Sequence, residues 1–157
     1  MYNYYNENFE KGLQFQDFVI NTLIKRQCLV LSPLMSNNAQ VYVGETLQGF
    51  EIKYDARCTG DNKTQATNQL SIEIAEKQVK ENEYYVPSGI YRDDNSWMYI
   101  QGNYQQFWIF SKKMLQVLHK TKNYKEASMP TIKKFYLPLD HADYYCAKKI
   151  IIWKCNF

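Results

Sequence analysis

The sequence predicts one mixed α+β domain spanning residues 1–157, and three observations carry that expectation. An apolar stripe at helical spacing opens the chain. Short segments between Phe50 and Phe110 alternate apolar and polar residues, the period of a half-buried strand. Turn signals such as Gly102-Asn103 separate them, and a Ser-led amphipathic segment follows at Ser111. The 157 residues make about one domain's worth, and a hydrophobic content of 45% is enough for a core without disulfide or metal staples.

From Asn8 to Gln27, Leu13, Phe15, Phe18, Val19, Leu23 and Ile24 recur at near three-and-four spacing, which predicts a core-facing helix. Cys28–Leu31 is a short apolar strand stopped by Ser32-Pro33. Gln40–Glu45 and Phe50–Asp55 read as a β-hairpin about Thr46-Leu47-Gln48-Gly49. In the second of these strands Phe50, Ile52 and Tyr54 point one way and Glu51, Lys53 and Asp55 the other. Thr59–Asn68 is a polar loop, and Leu70–Ile74 is another alternating strand with Glu73 on its polar face. Trp97–Gln101 and Gln106–Phe110 form a second hairpin. Ser111 caps a helix over Lys112–His119, Lys120–Lys134 reads as irregular, and a last helix runs from an Asp140 N-cap to Ile150. Trp97, Trp108 and Phe110 could stack on bases, but on alternating strands they are read as core; His119 and His141 lack partners at metal spacing and are read as packed or exposed.

The four cysteines, at 28, 58, 146 and 155, include no short-spaced pair of the zinc or redox kind. The N-terminal residues lack the blocks of a signal peptide, and no apolar run approaches the roughly 18 residues of a membrane span. A cytoplasmic protein with free thiols and no membrane partner is the expectation. Charge is uneven: residues 1–111 carry 9 Lys/Arg against 13 Asp/Glu, whereas residues 112–157 carry 10 lysines against 3 acids. A basic C-terminal third suits a polyanionic partner. Lys112, Lys113, Lys120, Lys122 and Lys125 are the residues placed to contact phosphates there; a solvated helix end would look the same.

Glu51 and Lys53, two apart on one strand, share a face and can share a cleft. Phosphodiester hydrolysis assisted by Mg²⁺ needs such a set. The ion takes oxygen ligands, usually one or two carboxylates with waters and substrate phosphate, and a lysine can orient the attacking water or neutralise charge. Glu45, across the predicted hairpin turn, is placed to converge on the same metal, and Glu73 joins them if its strand is a sheet neighbour.

Gly44-Glu45 followed by Glu51-Ile52-Lys53 resembles the acid … Glu-x-Lys signature of the PD-(D/E)XK, or restriction-endonuclease-like, nuclease superfamily. Gly12–Val19 is similar to that superfamily's first helix. Gly49–Asp55, Leu70–Ile74 and Ser88-Gly89-Ile90 resemble its small phage and mobile-element members, so that the short matches span residues 12–111 in order. The resemblance implies a central mixed β-sheet flanked by helices and a Mg²⁺-dependent endonuclease or other deoxyribonuclease, with Mn²⁺ as a substitute ion. It implies Glu45, Glu51 and Lys53 as catalytic residues, with Glu45 and Glu51 as metal ligands and Gln16 at the first-helix position; the strand faces themselves add Glu73 as a further candidate ligand and Asp55 as a support, and either would equally suit a supporting or surface position. It also implies DNA as partner and a homodimer as one assembly that cuts two strands. Where the family's first helix commonly carries Glu, this chain has Gln16, and the Glu45–Glu51 interval is shorter than in many members. Two other readings stay open: a non-catalytic nucleic-acid-binding relative of the same fold, and an unrelated phage-type structural or protein-interaction domain. Convergence of Glu45, Glu51 and Lys53 in one concave, acidic pocket separates them.

Overall fold

Two four-stranded sheets and three α-helices make up the computed structural model, which describes residues 2–26, 49–59, 66–94 and 96–152, with side chains from residue 7 onward. In chain order the elements are α1 (Tyr2–Lys25), β1 (Phe50–Tyr54), β2 (Gln69–Glu76), β3 (Val86–Pro87), a 3₁₀ turn (Gly89–Tyr91), β4 (Met98–Gly102) and β5 (Gln106–Ser111). There follow α2 (Lys112–Thr121), β6 (Glu126–Ser128), β7 (Ile132–Pro138), α3 (Leu139–Tyr145) and β8 (Lys148–Ile151). The mixed α/β class expected from the sequence is what the chain adopts. The predicted strands at Cys28–Leu31 and Gln40–Glu45, and with them Glu45, Cys28 and Cys155, lie outside the described residues.

The first sheet has the order β1-β4-β5-β8 and is mixed. β1 runs parallel to β4, and β4, β5 and β8 are antiparallel neighbours. The second sheet, β3-β2-β7-β6, is wholly antiparallel. A parallel pair needs a crossover, and between β1 and β4 the chain lays down β2 and β3 of the other sheet. Sheet one is therefore covered by α1 on one face and chiefly by the second sheet, not by helices alone, on the other.

That double burial explains the continuous apolar run in β5. Phe107 and Ile109 pack under α1 against Phe15, Val19, Ile20, Leu23, Phe50 and Ile52. Trp108 and Phe110 point the other way, into a cluster with Leu70, Ile72, Phe135, Leu137 and Leu115. Strands buried on both faces lose the in–out alternation. Trp108 and Phe110 are fully buried, as the sequence led us to expect, whereas Trp97 is 62% exposed.

Several boundaries differ from expectation. On α1 the buried stripe is Phe15, Val19, Ile20 and Leu23, and Ile24 is largely exposed, because the helix turns its i, i+4 row onto β1 and β4. Lys120–Lys134, read as irregular, contains β6 and the start of β7; neighbouring lysines obscure the strand period in both. The last helix is short. It ends at Tyr145 rather than Ile150, Pro138 and not Asp140 is its N-cap, and Lys148–Ile151 pairs instead with β5. The cap at Ser111 is as expected: its hydroxyl accepts from the Met114 amide at 3.3 Å.

Candidate active site

β1 places Glu51, Lys53 and Asp55 on the face that also carries Tyr99 and Gln101 of β4, since Glu51 pairs with Tyr99 and Lys53 with Gln101. This is the face turned away from α1. Glu51 is 3% exposed, an expensive position for a carboxylate unless charge of the opposite sign is near. Lys53 supplies it: its Nζ lies 3.3 Å from Glu51 Oε1 and 3.6 Å from Glu73 Oε2. Glu73 is not on a sheet neighbour of β1. It reaches Lys53 from the other sheet, at the point where β2 slips register against β7 between Glu73 and Ala75. Such irregularities re-aim a side chain.

Glu73 is anchored from behind. Ser88 Oγ donates to Glu73 Oε1 at 2.9 Å, and the Ser88 amide donates to the Ile74 carbonyl. The next residue has to be glycine. Gly89 has φ +56°, and a Cβ there would sit 2.1 Å from the Glu73 carbonyl oxygen. Only a bare backbone lets the 3₁₀ turn come close enough for Ser88 to hold Glu73.

A second lysine reaches Glu51 from its buried side. Lys112, the first residue of α2 and 4% exposed, has its Nζ 3.5 Å from Glu51 Oε2 and 3.3 Å from Asp94 Oδ1. It also bonds Ser96 Oγ at 2.8 Å and the Arg92 carbonyl at 3.4 Å. Burial alone would raise the Asp94 carboxyl, but the Ser96 hydroxyl and amide and the Lys112 ammonium outweigh it and hold the pKa below the ordinary value. The expected role of Lys112 as a surface phosphate contact is thereby corrected: its charge is spent inside the protein. Its spacing from Leu115 and Leu118 explains this, because these three are the buried residues of the helix. That pattern was present in the sequence, and the adjacent Lys113 masked it. Lys113, Lys120, Lys122 and Lys125 are exposed, with Lys120 over the Tyr91 ring and Lys122 over the Tyr145 ring.

Asp55 ties the two sheets together. Its Oδ2 accepts from the Ser71 amide at 2.9 Å and from Gln101 Nε2 at 2.8 Å, and Gln101 Nε2 also reaches the Ser71 carbonyl. Burial pushes its carboxyl above the ordinary value, and these bonds hold the rise back. Gln16 is buried on α1 and lines, with Ile52 and Lys53, a groove beside β1. The histidines bond tyrosines: His119 Nδ1 meets Tyr91 Oη, with Nε2 on Glu126, and His141 Nδ1 meets Tyr124 Oη.

Lys53 and Glu73 open onto a cleft of about 810 Å³ whose walls include Asp55, Arg57, Lys134 and Tyr136. Arg57, Lys134 and Tyr136 were not singled out from the sequence. The even residues of β7 share a face with the odd residues of β2 only through the pairing of Glu73 with Lys134 and Ser71 with Tyr136. Among the described residues no three His, Cys, Asp or Glu side chains gather as a metal-binding group. Among the described residues the carboxylates that meet at Lys53 are Glu51 and Glu73, and Glu45 lies outside them. Two carboxylates fit a Mg²⁺ site, which keeps waters and substrate oxygens as its other ligands. Glu51 Oε2 is buried with no hydrogen-bond partner among the described residues, and it faces the Lys112 ammonium rather than Lys53 and the cleft.

No family model, no curated protein and no solved structure matches this chain.

Proposed function

We propose that this chain is a Mg²⁺-dependent deoxyribonuclease of the restriction-endonuclease-like kind, with Mn²⁺ able to substitute. The observation that carries the reading is the meeting of Lys53 with Glu51 and Glu73, brought by strands of two different sheets, with Lys53 and Glu73 on the wall of one cleft and Glu51 buried behind Lys53. A solvated Glu-x-Lys pair on an open strand face would not bury its glutamate to 3% or bring a third charge from another sheet.

In this reading Glu51 and Glu73 would hold the ion, with the Lys53 ammonium giving up its place between Glu51 Oε1 and Glu73 Oε2. A metal bound there stabilises charge on the phosphoryl group and acidifies a bound water. Lys53, half-exposed at the cleft wall, orients the attacking water and offsets the negative charge that builds on the phosphate. Ser88 fixes one oxygen of Glu73 and so the direction of the other. Arg57 and Lys134 bring positive charge to a polyanion in the cleft, and Tyr136 presents an aromatic face to its bases.

The test is incubation of the protein and its Lys53→Ala variant with plasmid and single-stranded DNA in Mg²⁺ or Mn²⁺. Cleavage by the parent should fall on the order of 100-fold or more in the variant, with DNA binding largely retained. Equal activity in both would sink the assignment. Binding by the parent without any cleavage would leave the non-catalytic relative as the better reading.

A further inference from the structure

Lys112 is the buried charge that the proposed reaction does not use. An ammonium has three protons to donate. Those of Lys112 are accounted for by Ser96 Oγ at 2.8 Å, Asp94 Oδ1 at 3.3 Å and the Arg92 carbonyl at 3.4 Å. Glu51 Oε2, at 3.5 Å, receives its field but no hydrogen bond, so that oxygen has no hydrogen-bond partner among the described residues. The ammonium thus sits inside four oxygens: two carboxylate, one hydroxyl and one carbonyl. Every one of these is a hard donor of the type that divalent cations take.

Its place in the helix makes the arrangement more telling. Lys112 is the first residue of α2, where the helix dipole favours an anion. A cation there is held by Glu51 and Asp94 rather than by the helix. Ser96 is oriented for it, its hydroxyl donating to Asp94 while accepting from Lys112.

We infer that the Lys112 ammonium is a tethered stand-in for a second cation: it fills an oxygen cage on the buried side of Glu51 that would otherwise take a divalent ion. The native protein then takes a single ion, on the Lys53 side of Glu51. This deepens the nuclease reading, for it makes the site a one-metal site with a lysine in the place of the second metal. The two claims can nevertheless fail separately.

The experiment counts Mn²⁺ ions per chain by isothermal titration in the absence of DNA, for the parent, Lys112→Ala and Lys112→Arg. The expected result is one ion for the parent, one more for Lys112→Ala, and no gain for Lys112→Arg, which keeps the charge in the cage. Two ions bound by the parent, or no gain in a folded Lys112→Ala, would overturn the inference. No ion in the parent but one in Lys112→Ala would support the cage and count against the metal site at Glu51 and Glu73. Should Lys112→Ala be unfolded without metal, millimolar Mn²⁺ must restore its far-ultraviolet circular dichroism; failure to do so overturns the inference as well.

Discussion

Replacing Lys112 by methionine keeps an unbranched apolar stem and deletes the ammonium with its charge and its three hydrogen bonds, so its effect on stability can be worked from the geometry. The ammonium lies 3.5 Å from Glu51 and 3.3 Å from Asp94, with all three side chains about 95% buried. At an effective dielectric constant of about 20, each pair attracts by about 5 kcal/mol, most of which is offset by the cost of taking the charges out of water. Deleting Lys112 is a different matter, since it leaves Asp94 buried without its counter-charge and Glu51 with Lys53 alone. Such a break costs about 3–5 kcal/mol. In a chain of this size that corresponds to a fall in Tm on the order of 10 °C. Urea unfolding followed by fluorescence of the fully buried Trp108 reads it directly. A second change, Asp94→Asn, removes that stranded charge and should return part of the loss.

The pH dependence gives the sign. The Asp94 pKa lies below its ordinary 3.8 in the folded protein, so its contribution is present above that value and is lost as pH falls through the folded pKa. The gap between parent and Lys112→Met should accordingly narrow on acidification below the ordinary carboxylate range. A midpoint shift worth less than about 1 kcal/mol at neutral pH, or a gap that widens in acid, would refute the account of Lys112 as a buried counter-ion.

Two further outcomes are expected. Gly89→Ala should cost at least about 2 kcal/mol, from the left-handed backbone and from the clash with the Glu73 carbonyl, and it should impair cleavage by moving Glu73; thermal unfolding together with the plasmid assay checks both. Burial, helped by the Asp55 charge, pushes the Cys58 thiol up to about 12, so at pH 8.5 it should resist iodoacetamide unless the protein unfolds, as read by peptide mass spectrometry. Because that pKa is raised, the Cys58 contribution to stability is whole below the ordinary 9.0 and is lost as pH rises toward about 12. Labelling of Cys58 as fast as in urea would contradict this.

What the sequence determined alone is whatever depends on local period. The two-residue alternation in Phe50–Asp55 put Glu51, Lys53 and Asp55 on one face, and the hairpin about Gly102-Asn103 and the Ser111 cap were equally legible. These follow from side-chain direction along a strand and from orphan amides at a helix start, neither of which needs a distant partner. Only the tertiary structure decided which faces meet. Glu73 joins Lys53 from a separate sheet, β7 pairs with β2 although its lysines hide its period, and β8 adds to β5 where a helix was expected. Lys112 is the sharpest case. Its residue type and its basic neighbours read as solvent-facing, yet the packing of Leu115 and Leu118 turns α2 so that its first residue faces Glu51. A lysine is buried or exposed according to what surrounds it, and its counter-charges lie 61 and 18 residues away along the chain.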